Sequence, residues 1–387
     1  MTHLLIIIIY LSFISLGLPD AVFGGSWPTM YQEFDVPVSY AGIVTIIISI
    51  GTIVSSLMSD RMTYKLGTGK VTTLSVAMTA LALFGFSMSH SFIELCLWAI
   101  PYGLGAGGVD ASLNNYVAVH YSSRVMSWLH CMWGVGAMTG PYVLGFVLTG
   151  GGIWNTGYKV IALLQVALTI VLVISLPLWK KRQVVVDEKG QEVPAQALTM
   201  KEILSIKGAK DIMIAFFCYC ALEQTAGLWA SSYMVLHKGV PETVAAGYAS
   251  MFFIGITVGR FFSGFLTMKL NDKQMIHFGM AILTVGVGVL FLPLSEYVSL
   301  VGFILIGIGC APIYPCIIHS TPEIFGADKS QAIVGVQMAS AYTGVLLMPS
   351  LFGIIANHIT VALLPLYLCV ILVTMIVMYE RLVRVTK

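Results

Sequence analysis

Charged residues are scarce in this sequence: Asp, Glu, Lys and Arg make up 10% of its 387 residues, where ordinary globular domains carry about 25%. So few charges cannot cover a water-facing surface, which excludes a soluble globular fold. The net charge is also slight, +2 at pH 7. It leaves no basic field of the kind nucleic acid needs, and no nucleic-acid partner is expected. Cysteine offers no framework either. Cys96, Cys131, Cys218, Cys220, Cys310, Cys316 and Cys369 are odd in number and all lie in apolar segments, which argues against disulfides or a zinc site. They read as small packing residues. Catalytic signatures are missing as well. There is no H-E-x-x-H, no G-x-S-x-G and no G-x-x-x-x-G-K-[ST] loop for ATP hydrolysis. The chain is therefore read as neither an enzyme nor a primary pump, with no metal and no cofactor. Its start, MTHLLIIIIYLSFISLGLPD, lacks the basic n-region and A-x-A site of a cleaved signal, so it is expected to stay as a spanning helix.

What the sequence does have is apolar length. Hydrophobic residues make up 58% of the chain and the mean hydropathy is +0.90. A helix crossing a bilayer needs about 20 mostly apolar residues. Twelve such spans are predicted: 3–30, 38–58, 71–89, 92–119, 124–149, 155–179, 211–236, 243–267, 274–293, 298–319, 331–357 and 361–380. With twelve, nearly all basic residues fall on one side, from Arg61, Lys65 and Lys70 through the Lys180–Lys210 region to Arg381, Arg384 and Lys387; only Lys159 and Lys238 fall opposite. By the positive-inside rule both termini are cytoplasmic. The fold class expected is an all-α polytopic membrane protein.

One long polar segment, 180–210, divides the chain into six spans plus six. Within it TMKEILSIK is expected to form a short surface helix and the rest a flexible linker. The domain organisation predicted is a bundle over 1–179, a cytoplasmic linker over 180–210 and a second bundle over 211–387. The halves resemble each other. GTIVSSL from Gly51 matches GRFFSGF from Gly259, GAMTGP from Gly136 matches GVLLMP from Gly344, and Trp27 with Tyr31 recur as Trp229 with Tyr233. The offset stays between 202 and 208 residues, the mark of a parallel internal repeat.

The stretch GLGAGG, from Gly103, spells the dinucleotide-binding pattern G-x-G-x-x-G. That pattern needs a strand before it and a helix start after it. Here it lies inside a predicted span, where glycines instead let neighbouring helices approach. The residue that needs explaining is Asp110, two positions on. A charge inside a bilayer costs about 2.5–3.5 kcal/mol on insertion scales, yet Asp20, Asp110 and Glu223 all lie within spans. A neutral acid can serve merely to join two helices. It can also be a protonation site in a watery cavity, and for three such acids the second reading is favoured for at least one.

Neighbouring residues extend the candidate site. Asn114 is one turn after Asp110 on the same face, Asn115 adjoins it, Gln224 adjoins Glu223, and Trp27, Trp133 and Trp229 offer aromatic faces. Acids and amides bind hydroxyls while an aromatic ring covers C–H faces, a set that suits a polyhydroxylated solute. For a single amide, interhelical bonding is an equal alternative, and Trp27 and Trp229 fit an interfacial belt as well as a site. His130 is read as a packed, hydrogen-bonded histidine. Asp60 and Arg61, in a loop predicted over 59–70, and Arg260 in the eighth span are candidate gating residues.

These features resemble the major facilitator superfamily. The resemblance rests on twelve spans, a central linker, a six-helix repeat, and a short basic loop in which Asp60, Arg61 and Lys70 match a degraded G-x-x-x-D-R-x-G-R-K motif. Within it the stretch GLGAGGVDASLNNYVAVH and the segments FCYCALEQTAGLW and VGRFFSGFL resemble the fucose permease type of sugar:proton symporter. That resemblance implies that Asp20 and Asp110 couple protons and sugar and that Gln224 faces the sugar. The helix-4 acid of that family is Glu where this chain has Asp110, Tyr116 follows Asn115 directly, and Glu223 is an additional acid.

The function expected is therefore a secondary active transporter taking up a sugar-like solute with protons by alternating access. Proton coupling is assigned to Asp20, Asp110 and Glu223. Substrate contacts are assigned to the same acids with Asn114, Asn115, Trp133, Gln224, Trp229 and Trp27, and gating to Asp60, Arg61 and Arg260. The partners expected are the solute, protons and the lipid of a cell membrane, with the chain acting as a monomer. A proton-driven exporter of amphipathic compounds, hinted at by GAMTGP, and an uncoupled facilitator are the alternatives.

Overall fold

A computed structural model describes residues 2–20, 22–179, 185–186, 192–193 and 198–386. Most of the 180–197 stretch, and with it most of the expected flexible linker, lies outside the described residues. The remaining chain is helical: α1 (Thr2–Gly17), α2 (Val22–Glu33), α3 (Ala41–Leu66), α4 (Thr68–Met88), α5 (Phe92–His120), α6 (Ser123–Thr149), α7 (Trp154–Trp179), α8 (Met200–Ser205), α9 (Ala209–Leu236), α10 (Glu242–Leu266), α11 (Asp272–Leu290), α12 (Glu296–Phe325), α13 (Ala327–His358) and α14 (Leu364–Val385). Two short strands, β1 (Val185–Val186) and β2 (Glu192–Val193), pair antiparallel. Among the described residues eleven helical segments are long and apolar enough to cross a membrane, α1 and α2 counting together as Leu4–Glu33. A shorter apolar helix, Ser250–Leu266, lies within α10. Each overlaps one of the twelve expected spans.

The lipid environment explains the packing pattern. Large apolar residues face outward: Phe146 is 82% exposed and Ile174 73%. Ser56, Ser59, Thr72 and Ser112 are buried between helices. Lipid chains are as apolar as leucine, so burying leucine drives nothing; close backbone approach and interhelical hydrogen bonds do instead. The α3–α5 interface shows how. A Cβ on Gly103 would stand 2.3 Å from the Ile48 carbonyl oxygen, and one on Gly107 2.3 Å from that of Thr52. In the space this leaves, the Thr52 hydroxyl donates to the Gly103 carbonyl at 3.2 Å. The glycine-rich stretch is mid-helix, with no strand before it, and serves packing.

Two local differences from the sequence prediction matter for the site. The loop predicted over 59–70 is a single residue. α3 continues to Leu66 and α4 starts at Thr68, with Gly67 between them at φ 80°, a conformation that favours glycine. Charged side chains do not end a helix; they only mark where it leaves the lipid. Asp60 is consequently buried near the end of α3, where its Oδ2 accepts from the Leu198 backbone N–H at 3.0 Å. The expected surface helix is present as α8, started by a reciprocal capping box between Thr199 and Glu202.

The chain forms two compact units. One comprises Met1–His120, Leu129–Leu198 and Phe325–Ala339; the other comprises Tyr121–Trp128, Thr199–Ile324 and Ser340–Lys387. They do not follow the sequence halves strictly, because α6 and α13 each begin in one unit and continue in the other. In the first unit the opening turns of α13 pack on α3 and α5: Gln331 Nε2 donates to Ser59 Oγ at 3.3 Å, and the Ser330 hydroxyl donates to Asn115 Oδ1. In the second, the opening turns of α6 place Trp128 edge-on to Phe265, with Arg124 over the Trp128 ring.

Candidate transport site

The first unit holds two of the three intramembrane acids. Asp20 lies where the first span breaks. Pro19 has no N–H to continue the helical ladder and disfavours helix at the residue before it. α1 stops at Gly17, a turn spans Leu18–Asp20, and α2 begins at Val22. A broken helix at membrane depth is tolerated where it lines a watery or protein cavity, and it sets Asp20 outside the regular ladder. The carboxylate is exposed and held from both sides: Trp133 Nε1 donates to Oδ2 at 3.0 Å, and the buried Tyr102 hydroxyl donates to Oδ1 at 3.3 Å. α1 and α6 bring Trp133 there by close contact. A Cβ on Gly17 would meet the Trp133 carbonyl oxygen at 2.2 Å, and one on Gly136 that of Ile14 at 2.0 Å.

Asp110 is buried in α5, in the neighbourhood of Asp20. Asn114 Nδ2 donates to Asp110 Oδ1 at 2.8 Å, as the one-turn spacing predicts. On its other side Asn114 Oδ1 meets His130 Nε2 at 3.0 Å, and the His130 ring stands edge-on to Phe13. Asp110, Asn114 and His130 thus form a buried polar chain across α5 and α6. Asn115 points elsewhere, to Ser330. Trp27 is in the apolar core with its Nε1 donating to the Val38 carbonyl at 2.7 Å, so it is not brought to either acid. Arg61 is exposed near the end of α3.

The second unit holds Glu223 and Arg260 together. Arg260, in α10, is 4% exposed, and its Nη2 lies 3.5 Å from Glu223 Oε1. The Tyr219 hydroxyl, one turn before Glu223, lies against Glu223 Oε2 and 3.0 Å from the Cys310 carbonyl oxygen; its single proton can serve one of them at a time. Gln224 is exposed. Trp229 is engaged structurally, with Nε1 donating to the Pro349 carbonyl at 3.0 Å and its ring edge-on to Phe352.

Sequence reasoning did not find Tyr102, which comes to Asp20 from 82 residues away, and it set His130 aside. It also missed His319 of α12, whose Nδ1 lies 2.5 Å from Asp272 Oδ2 and whose Nε2 lies 2.9 Å from the Tyr121 carbonyl oxygen. Only the Tyr219–Glu223 spacing was available as a local signal. Among the described residues no cluster of His, Cys, Asp and Glu could hold a metal ion.

A family model for the Major Facilitator Superfamily matches residues 9–295 and 212–387. The chain belongs to the Major Facilitator Superfamily. Two relatives span nearly all of this superfamily member. Bypass of stop codon protein 6 of Saccharomyces cerevisiae is 22% identical over an alignment of 409 positions, gaps included, that covers 97% of this chain and 81% of that protein. The glucose/mannose transporter GlcP of Bacillus subtilis is 22% identical over 361 residues, 92% of this chain and 88% of GlcP. Solved structures agree on the fold. FucP in its outward conformation has a TM-score of 0.77 at 14% identity, covering 96% of this chain and 98% of FucP. The proton:xylose symporter XylE has a TM-score of 0.79 at 12% identity, covering 97% and 94%. This Major Facilitator Superfamily protein is a multi-pass membrane transporter rather than an enzyme.

Proposed function

We propose that this transporter takes up a hexose or similar sugar together with protons. The observation that carries the reading is the pair of acids in the first unit. Asp20 is exposed at a helix break under two hydrogen-bond donors, and Asp110 is buried near it with an amide on its carboxylate. Asp20 with Trp133 and Tyr102 is suited to a sugar: carboxylate and hydroxyl bind its hydroxyls, and the indole covers its apolar face. Asp110, enclosed and paired with Asn114, is suited to exchanging a proton. GlcP, named a glucose/mannose transporter, supports the choice of solute. The six-plus-six organisation at 1–179 and 211–387, cytoplasmic termini, a monomer in a cell membrane, and gating by Asp60 and Arg61 belong to this same reading.

The exporter alternative rested on GAMTGP in the fifth span. A Cβ on Gly140 would stand 1.9 Å from the Leu18 carbonyl oxygen, and together with the Gly136 contact this gives the motif a packing role. Such a packing role serves uptake and export alike, so the motif by itself does not argue for export.

Trp133 offers a graded check. A hydrogen bond to a charged group is worth about 1.5–3 kcal/mol when buried, and Asp20 is exposed, so the lower figure applies. Trp133→Phe keeps the ring and loses the donor. It is expected to raise the sugar KM about tenfold with little change in maximal rate; an unchanged KM removes Trp133 from the site.

The reading as a whole is tested with purified protein in liposomes loaded with a pH-sensitive dye. D-glucose, D-mannose, L-fucose and D-xylose are added singly with no imposed gradient. Proton entry on addition of one sugar supports symport. Exchange of labelled sugar without proton movement makes the protein a facilitator, and the absence of both proton entry and exchange removes the sugar assignment in favour of the exporter.

A further inference from the structure

We infer that His130 is a positioning residue for the Asp110 proton site: through Asn114 it fixes which end of the amide the carboxylate meets. The inference rests on the proton-coupled reading above, and goes beyond it by naming what controls release of the proton.

Hydrogen-bond direction along the chain Asp110–Asn114–His130 links the three side chains. An ionised carboxylate only accepts hydrogen bonds. Its partner at 2.8 Å must therefore be the Asn114 NH2, which turns the amide oxygen toward His130 Nε2, 3.0 Å away. That oxygen also only accepts, so His130 must carry a hydrogen on Nε2. Every member then has a consistent role while Asp110 is charged. The reverse arrangement is also possible for a protonated Asp110: its O–H donates to the amide oxygen, and the NH2 faces His130. That arrangement requires a bare Nε2. A histidine holding its hydrogen on Nε2 thus favours the charged acid and obstructs the arrangement in which the neutral acid donates to the amide.

The surroundings keep the histidine in place. His130 is 5% exposed, Asn114 is fully buried, and Phe13 stands edge-on to the imidazole ring. A buried polar network of this kind is worth more than its separate bonds, because an unsatisfied member is costly. Without the donor at His130, Asn114 is free to turn its oxygen to a protonated Asp110, and the acid keeps its proton through the transport cycle. The expected defect is therefore one of coupling and not of sugar binding.

The test compares three variants in liposomes, each assayed for exchange of labelled sugar and for accumulation driven by a pH gradient, using the four sugars above. His130→Gln places an amide donor near the Nε2 position and is expected to accumulate sugar within about twofold of the unaltered protein. His130→Phe removes the donor, and His130→Asn offers one nearer the Nδ1 position. Both are expected to keep exchange and lose at least tenfold in accumulation. If the larger phenylalanine disturbs folding, the Asn and Gln variants alone decide. His130→Asn combined with Asp110→Asn is expected to be no worse than Asp110→Asn, since both act on one step. Full accumulation in His130→Asn overturns the inference. So does parallel loss of exchange and accumulation, or failure of His130→Gln to differ from His130→Asn. If the unaltered protein accumulates none of the four sugars, the symport reading itself has failed and the role of His130 fails with it; that result is visible before any variant is made.

Discussion

Asp110→Asn is expected to abolish accumulation of sugar against its gradient while sugar exchange continues. A pH difference of one unit is worth about 1.4 kcal/mol per proton, a tenfold concentration ratio. With one proton per sugar, the unaltered protein in liposomes held one unit more alkaline inside should approach that ratio, and Asp110→Asn should stop near equality. The asparagine keeps the size of the side chain and cannot release a proton. It can still meet Asn114, so the buried pair stays satisfied and the fold is preserved. Accumulation equal to that of the unaltered protein would remove Asp110 from coupling. Loss of exchange as well would make Asp110 a binding residue first.

The second large effect is on stability and concerns Glu223. Read from sequence, it is a third candidate for the coupling proton. In the structure it faces Arg260, which is 4% exposed. Removing one partner of a buried ion pair strips the other of its counter-charge and costs about 3–5 kcal/mol. Glu223 is itself about one-fifth exposed, which puts the expected loss for Glu223→Gln at the lower end, about 3 kcal/mol. The thermal midpoint in detergent should fall clearly, and the double variant Glu223→Gln with Arg260→Gln should recover much of it. A single variant that keeps its stability but loses proton-driven uptake would return Glu223 to the coupling machinery.

How much of this was legible in the sequence follows from the range of each signal. Apolar runs of membrane length are local, and they gave the spans to within a few residues for most helices. The largest overrun at a helix end is instructive. α3 was expected to end at 58 and runs to Leu66, because polarity marks the lipid boundary and not the end of the hydrogen-bond ladder. Intramembrane acids are visible one at a time, and the one-turn spacing of Asp110 and Asn114 already implied their bond. Long-range partners left no trace. Nothing near Asp20 announces Tyr102, and nothing near Glu223 announces Arg260, although the repeat places both halves in register. Adjacent residues with the same side chain also cannot be told apart without the helix phase. Asn114 reaches Asp110 while Asn115 reaches Ser330.

The exchange of roles between inside and outside has a thermal consequence. In a water-soluble domain, unfolding wets apolar surface, and the heat capacity rises by about 12–15 cal/mol/K per residue. Here Phe146 and Ile174 already face outward while serines and threonines fill the gaps between helices. Pulling the helices apart within a bilayer moves surface from protein to hydrocarbon and wets little of it. The heat-capacity change for separating the helices should be small, and their association should vary almost linearly with temperature. Cooling would then not loosen them, because the force that weakens in the cold is not the one that holds these helices together.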